Sequence, residues 1–307
     1  MNILLVHAHP EERSLNGTLA RFMREHLEAA GHTVQVSDLH AMRWKASLDA
    51  EDFPAREAGT PFHPMHDSQR AFASGRQSPD VAAEQDKLRW ADVLILQFPM
   101  WWFSMPARLK GWVDRVYAHG FAYGVGEHSE QRWGERYGEG VMAGKRAMLV
   151  VTTGGWASHY DPRGINGPMD ELLFPIQHGI LHYPGFDVLP PFVVYQSSRM
   201  DAERLQRTQA ELAQRLDTLA TTAPLPFRAQ NGGDYDIPAL TLRADLAPGQ
   251  EGMRVHLRSP NEDRSAADPR KEHGALSNDS APCRVGARCG PVSLRLWLSA
   301  LAPGSPG

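Results

Sequence analysis

Short, nearly unbroken runs of apolar residues constrain this chain most. Residues 3–6, 93–98 and 147–151 are apolar almost throughout, and each is followed at once by a polar or glycine-rich loop. A strand with one face in water alternates apolar and polar residues. A strand that does not alternate must be covered on both faces, which is the position of strands in a parallel sheet. The segments between the runs have helical spacing. Leu15, Leu19, Phe22, Met23 and Leu27 recur on one helical face, and Gly31 stands where a helix terminator belongs. Val34 and Val36 then alternate with polar residues up to Asp38. Strand, helix and strand within about 35 residues make a βαβ unit.

The alternation continues. Residues 83–90 and 107–117 read as helices, the second with Leu109, Trp112, Val113 and Val116 on one face. Residues 188–195 read as the last strand and 201–219 as a long closing helix. The predicted class is α/β, an open twisted parallel sheet with helices on both faces. The Pro-, His- and Ser-rich stretch 45–79 is expected to be a surface excursion or a site-forming loop. Residues 259–307 change character, with little apolar periodicity to Asp279 and an isolated apolar patch at 294–301, and are expected to form a disordered tail.

Charge and cysteine use exclude several function classes. Lys plus Arg total 32 against 36 for Asp plus Glu, giving a net charge of −4, so there is no electrostatic drive toward nucleic acid or an anionic membrane. Cys283 and Cys289 both lie near the C-terminus and cannot staple the main body, which favours a reducing compartment. The N-terminal apolar run is interrupted by His7 and His9, too early for a signal peptide, and no window reaches the ~18 apolar residues of a membrane span. A cytoplasmic protein without stable membrane insertion is expected.

In an open parallel sheet, ligands bind beyond the carboxyl ends of the strands. Three loops there carry chemistry. Residues 7–18, His-Ala-His-Pro-Glu-Glu-Arg-Ser-Leu-Asn-Gly-Thr, lead into a helix N-terminus suited to a phosphate, although Ser14 serves equally as a plain helix cap. The loop is neither a G-x-G-x-x-G fingerprint nor a Walker loop. Residues 97–106, Gln-Phe-Pro-Met-Trp-Trp-Phe-Ser-Met-Pro, place aromatic side chains directly after a buried strand, where a planar ring could lie against them. Thr152, Thr153, Gly154 and Gly155 follow the next strand, and paired glycines let backbone N–H groups approach a ligand. Tyr160 follows and could add a phenol.

Read together, these loops resemble the NAD(P)H:quinone oxidoreductase family, the DT-diaphorase-like flavoproteins of flavodoxin-like fold. The resemblance covers roughly residues 2–227. Its most specific pieces are His9 with Ser14-Leu15-Asn16-Gly17, Val36-Ser37-Asp38-Leu39, Ser78-Pro79-Asp80 with Glu84-Gln85, and Ala91-Asp92 through Gln97-Phe98-Pro99. Further matches are Trp102-Phe103 with Pro106-Ala107, Leu109-Lys110-Gly111-Trp112, Thr152-Thr153-Gly154-Gly155, and Pro175-Ile176-Gln177-His178-Gly179-Ile180-Leu181-His182. The resemblance implies a sheet order 2-1-3-4-5, a catalytic domain over 1–227, and an extension over 228–258 packing on or near the site. It also implies FAD as cofactor, NADH or NADPH as hydride donor, a quinone or other small aromatic acceptor, and a homodimer with shared sites.

By the same resemblance, His9, Ser14, Leu15 and Asn16 would hold the FAD diphosphate, and Arg204 would stand near the adenine. Pro99, Met100, Trp101, Trp102 and Phe103 would line the isoalloxazine, and Thr152, Thr153, Gly154 and Gly155 its pyrimidine side. Tyr160 would serve the hydride transfer, and Tyr123, Val125 and Tyr183 would wall the acceptor pocket. Three departures stand out. Asn166 occupies the place of a histidine that partners the tyrosine, as in the branch that uses dihydronicotinamide riboside; an asparagine can hydrogen-bond but cannot take up a proton. His178 and His182 match two zinc-binding histidines of that branch, but Phe227 stands at the cysteine position, so no tight structural metal is expected. His63 stands near a glutamine that contacts FAD. The expected activity is two-electron, ping-pong quinone reduction. The alternatives are a regulatory flavoprotein subunit of a potassium-efflux-type transporter, or a one-electron flavodoxin-type carrier.

Overall fold

The computed structural model describes residues 1–57 and 59–259. The expected tail therefore falls, apart from Ser259, outside the described residues, as do Cys283 and Cys289.

Five parallel strands form the predicted order. β1 (Asn2–His7) lies between β2 (Thr33–Asp38) and β3 (Val93–Pro99); β4 (Arg146–Thr152) follows, then β5 (Asp187–Val188), with β6 (Phe192–Val194) also paired to β4. Side-chain alternation divides the buried strands between two cores. Leu4, Val6, Leu94, Leu96, Phe98, Leu149 and Val151 face one core; Ile3, Leu5, Val93, Ile95, Met148 and Val150 face the other. Both cores need covering, which is why the strands read as continuous apolar runs. α1 (Leu15–Ala29) and α6 (Ala202–Asp217) cover the second face through Leu19, Met23, Leu27, Leu212 and Leu216. α3 (Pro79–Trp90), α4 (Ala107–Val116) and α5 (Met169–Ile176) cover the first through Val81, Leu88, Leu109, Trp112 and Leu173.

Two expectations need correction. Residues 188–195 are not one strand: Pro190 and Pro191, which have no N–H to donate, separate β5 from β6. The excursion 45–79 is not all loop. It contains α2 (Pro64–Ala73), begun by His63 as cap and Pro64 in the first turn. This excursion is pinned to the body by Arg115, whose Nε donates to buried Asp52 at 2.9 Å and whose Nη2 reaches Asp80 at 2.7 Å. The guanidinium also lies 4.4 Å from the Trp44 ring centroid.

After α5, a π-helical turn at Gln177–His182 carries the chain back toward β5. Residues 228–258 pack on this side. The Arg228 N–H donates to His256 O at 3.0 Å, and Arg254 pairs with Asp170 and Glu171 of α5. Among the described residues no helix is long and apolar enough to cross a membrane.

Candidate active site

The register puts His7 beside Gln97, and Pro99 beside Thr152, so the loops after β1, β3 and β4 leave the sheet at one edge. Ser14 begins α1: its Oγ accepts from Gly17 N at 3.2 Å and lies 2.9 Å from His9 Nδ1. Gly17 is required for this turn, because a Cβ there would sit 2.0 Å from Glu12 O. Ser14 is thus the helix cap and also holds His9. Leu15 packs toward the second core. Asn16 is buried, and its Oδ1 receives Gln97 Nε2 at 2.7 Å and Thr152 Oγ1 at 3.1 Å. One amide therefore ties together the ends of α1, β3 and β4. On its far side Gln97 Oε1 meets His7 Nδ1. Burial, only partly offset by Gln97 and Asp38, lowers the His7 pKa.

The aromatic loop is anchored beside this network. The Met100 N–H donates to Thr152 O at 2.8 Å, and Trp101 and Ser104 exchange backbone hydrogen bonds of 3.0 and 3.1 Å. The turn between them holds Trp102 and Phe103 at φ 49° and 61°, a left-handed conformation that costs roughly 1–3 kcal/mol per residue. Its aromatic side chains are not core: Trp102 is 95% exposed, Phe103 50% and Trp101 44%. The His9 ring lies 6.0 Å from Trp101.

The glycine loop completes the edge. The Thr153 N–H donates to Val194 O at 2.8 Å, and its Oγ1 shares a 2.7 Å hydrogen bond with the buried Tyr160 hydroxyl. A Cβ on Gly155 would meet the Tyr160 ring at 2.8 Å, whereas one on Gly154 would meet nothing within 4 Å. Gly154 therefore presents bare backbone to open space. Arg204 braces the neighbouring turn: its guanidinium donates to Tyr195 O at 2.5 Å and Gln196 O at 3.1 Å. Asn166 lies in a turn after Tyr160, its N–H donating to His159 O at 2.9 Å.

Other singled-out residues lie elsewhere. Tyr123 and Tyr183 line a different depression of about 320 Å³, together with Tyr117 and Gly179. Val125 O accepts from Glu135 N nearby in the chain at 2.9 Å. His63 caps α2 and packs on His66. His178 stacks between Phe174 and Tyr137 at 4.7 and 4.6 Å, and His182 packs on Phe227 at 5.1 Å. His256 joins His178 from the extension. Among the described residues no group of three or more His, Cys, Asp or Glu is arranged to hold a metal ion.

Sequence reasoning missed the supporting roles of His7 and Gln97. A polar Gln97 inside the run Val93–Pro99 was the available signal, since burying a carboxamide requires partners.

Comparisons with known proteins agree with this geometry. A family model described as flavodoxin-like fold matches residues 1–216. A ribosyldihydronicotinamide dehydrogenase-like protein of Penicillium crustosum is 53% identical over 263 residues, covering 84% of this chain and 96% of the relative. The NAD(P)H dehydrogenase [quinone] 1 of Rattus norvegicus is 36% identical over 256 residues, covering 83% and 90%. A solved structure from Klebsiella pneumoniae, named as a candidate quinone reductase, is 64% identical with a TM-score of 0.83, covering 84% of this chain and 100% of that one. With the sheet order, the exposed aromatic loop and the open backbone at Gly154, these similarities establish that the chain belongs to the NAD(P)H:quinone oxidoreductase family of flavodoxin-like oxidoreductase enzymes.

Proposed function

We propose that the chain is a FAD-dependent quinone reductase that takes a hydride from NADH or NADPH and passes two electrons to a quinone or similar aromatic acceptor in a ping-pong cycle. The observation that carries this reading is the aromatic loop. Leaving a large apolar side chain in water forgoes about 1.5–3 kcal/mol. Trp101, Trp102 and Phe103 do so at the edge of the sheet, beside a backbone open at Gly154. A planar tricyclic ring lying against them would remove that cost.

The residues fit a flavin dinucleotide. Asn16 and the start of α1, which Ser14 caps, offer donors where a diphosphate belongs. The Gly154 N–H, without a protein acceptor among the described residues, suits the carbonyl edge of the ring, where negative charge gathers on reduction. A bound flavin would supply the redox chemistry, as a carrier of hydride between donor and acceptor. Trp102 and Phe103 orient the stacked partners, which makes the transfer effectively intramolecular. Tyr160 and Thr153 Oγ1 share a hydrogen bond next to the glycine pair, where the phenol can hold or pass a proton. Asn166 can orient a ligand but cannot exchange a proton. Tyr123, Val125 and Tyr183 would wall the acceptor pocket of a partner subunit in a homodimer.

The donor range extends to dihydronicotinamide riboside, supported by Asn166 and by the name of the Penicillium relative. The test is direct. Cofactor released from the purified protein should co-elute with FAD, and initial rates at varied donor and acceptor should give parallel double-reciprocal lines. FMN in the extract, or intersecting lines, would contradict the proposal.

A further inference from the structure

Gln97 is fully buried and joins two partners, His7 and Asn16, and Asn16 also bonds Thr152. Such a chain can be wired in two directions, because each carboxamide has one accepting and one donating end. In the first, His7 Nδ1–H donates to Gln97 Oε1, Gln97 Nε2 donates to Asn16 Oδ1, and Thr152 Oγ1 donates to the same oxygen. Asn16 then keeps both Nδ2 hydrogens, which have no protein partner among the described residues. In the second, every bond is reversed and Asn16 is left with a bare oxygen instead.

We infer that the first wiring is native, and that His7 and Gln97 are positioning residues that hold the Asn16 N–H groups ready for a diphosphate anion beside Ser14. The inference rests on the flavin dinucleotide reading above. Asn16 lies in the first turn of α1, where backbone N–H groups already favour an anion. An amide N–H adds to that attraction, whereas an amide oxygen would oppose it. Burial keeps the His7 ring neutral, so it carries a single proton and only one wiring is available at a time. The network is buried at His7, Asn16, Gln97 and Thr152, so reversing it would mean breaking three hydrogen bonds away from water.

Two measurements test this. Long-range ¹H–¹⁵N spectra of the histidine-labelled full chain report which ring nitrogen of His7 carries the proton. The Nδ1–H tautomer is expected with or without flavin, and a bare Nδ1 would overturn the inference. Titration of apoprotein then compares FAD with riboflavin, which has no phosphate. Gln97→Met, close in shape but without the amide, should weaken FAD about tenfold and leave riboflavin unchanged. A merely structural role would weaken both ligands alike, and that result, or no loss at all, would refute the assignment. His7→Leu, which removes the other end of the chain away from the ring, provides the same comparison if the first variant fails to fold. A wild-type chain that takes up neither ligand would overturn the flavin reading itself, a failure distinct from any of these.

Discussion

The Tyr160 hydroxyl and Thr153 Oγ1 share a 2.7 Å hydrogen bond, and the ring of Tyr160 occupies the space that any side chain on Gly155 would need. The phenol, the threonine and the second glycine therefore form one unit. Tyr160→Phe should slow flavin reduction about tenfold while leaving flavin bound, and should cost about 1 kcal/mol of stability from the lost hydrogen bond. Single-turnover reduction and thermal melts measure the two effects. Unchanged reduction would remove Tyr160 from the chemistry.

Trp102 combines strained backbone with an exposed side chain. Trp102→Gly should leave the melting temperature of the apoprotein level or slightly raised, because glycine adopts a positive φ without penalty. The same change should lower kcat/KM about tenfold through loss of the stacking wall. A variant that melts earlier yet turns over normally would mean that Trp102 serves the fold and not the site.

Gly17 tests the anion end. A Cβ there would stand 2.0 Å from Glu12 O, so Gly17→Ala must push residues 11–14 away from α1. A loss of about 1–3 kcal/mol in stability is expected, together with weaker FAD binding. Denaturant titration and FAD fluorescence check each.

His178 gives a pH signature. Burial, with His182 and His256 nearby, holds its pKa at about 3, against 6.5 in the unfolded chain. Between those values the unfolded chain binds more protons than the folded one. This site therefore subtracts stability progressively as pH falls from about 6.5 toward 3, with the contribution levelling below that. His178→Phe, which keeps the stack on Phe174 and Tyr137, should flatten the decline in melting temperature between pH 7 and pH 4. An unaltered slope would show that other groups control acid unfolding.

Much of this architecture was legible in the sequence for a physical reason. Leu4 and Val6 must face one core and Ile3 and Leu5 the other, so β1 could not alternate, and the same reasoning located β3 and β4. Gly31, at φ 83°, ends α1 where its spacing implied. The broken last strand was concealed because Pro190 and Pro191 lie between two β-prone segments. α2 was concealed because its buried face, Asp67, Ser68 and Ala71, is mostly polar and leaves no apolar stripe to read. At the site, the sequence places Trp102 after a strand but cannot tell exposure from burial, since either suits an aromatic residue. The supporting pair His7 and Gln97 is 90 residues apart, and only the parallel register brings it together.

The central claim is that a flavin at this edge carries hydride from a reduced nicotinamide to a quinone. Anaerobic stopped-flow mixing of the purified yellow protein with NADH, NADPH or dihydronicotinamide riboside tests it most directly. The account predicts rapid bleaching of the flavin band by at least one donor and full recovery of colour on adding a quinone. Protein that stays colourless after incubation with excess FAD or FMN, or yellow protein that no donor bleaches, would contradict it.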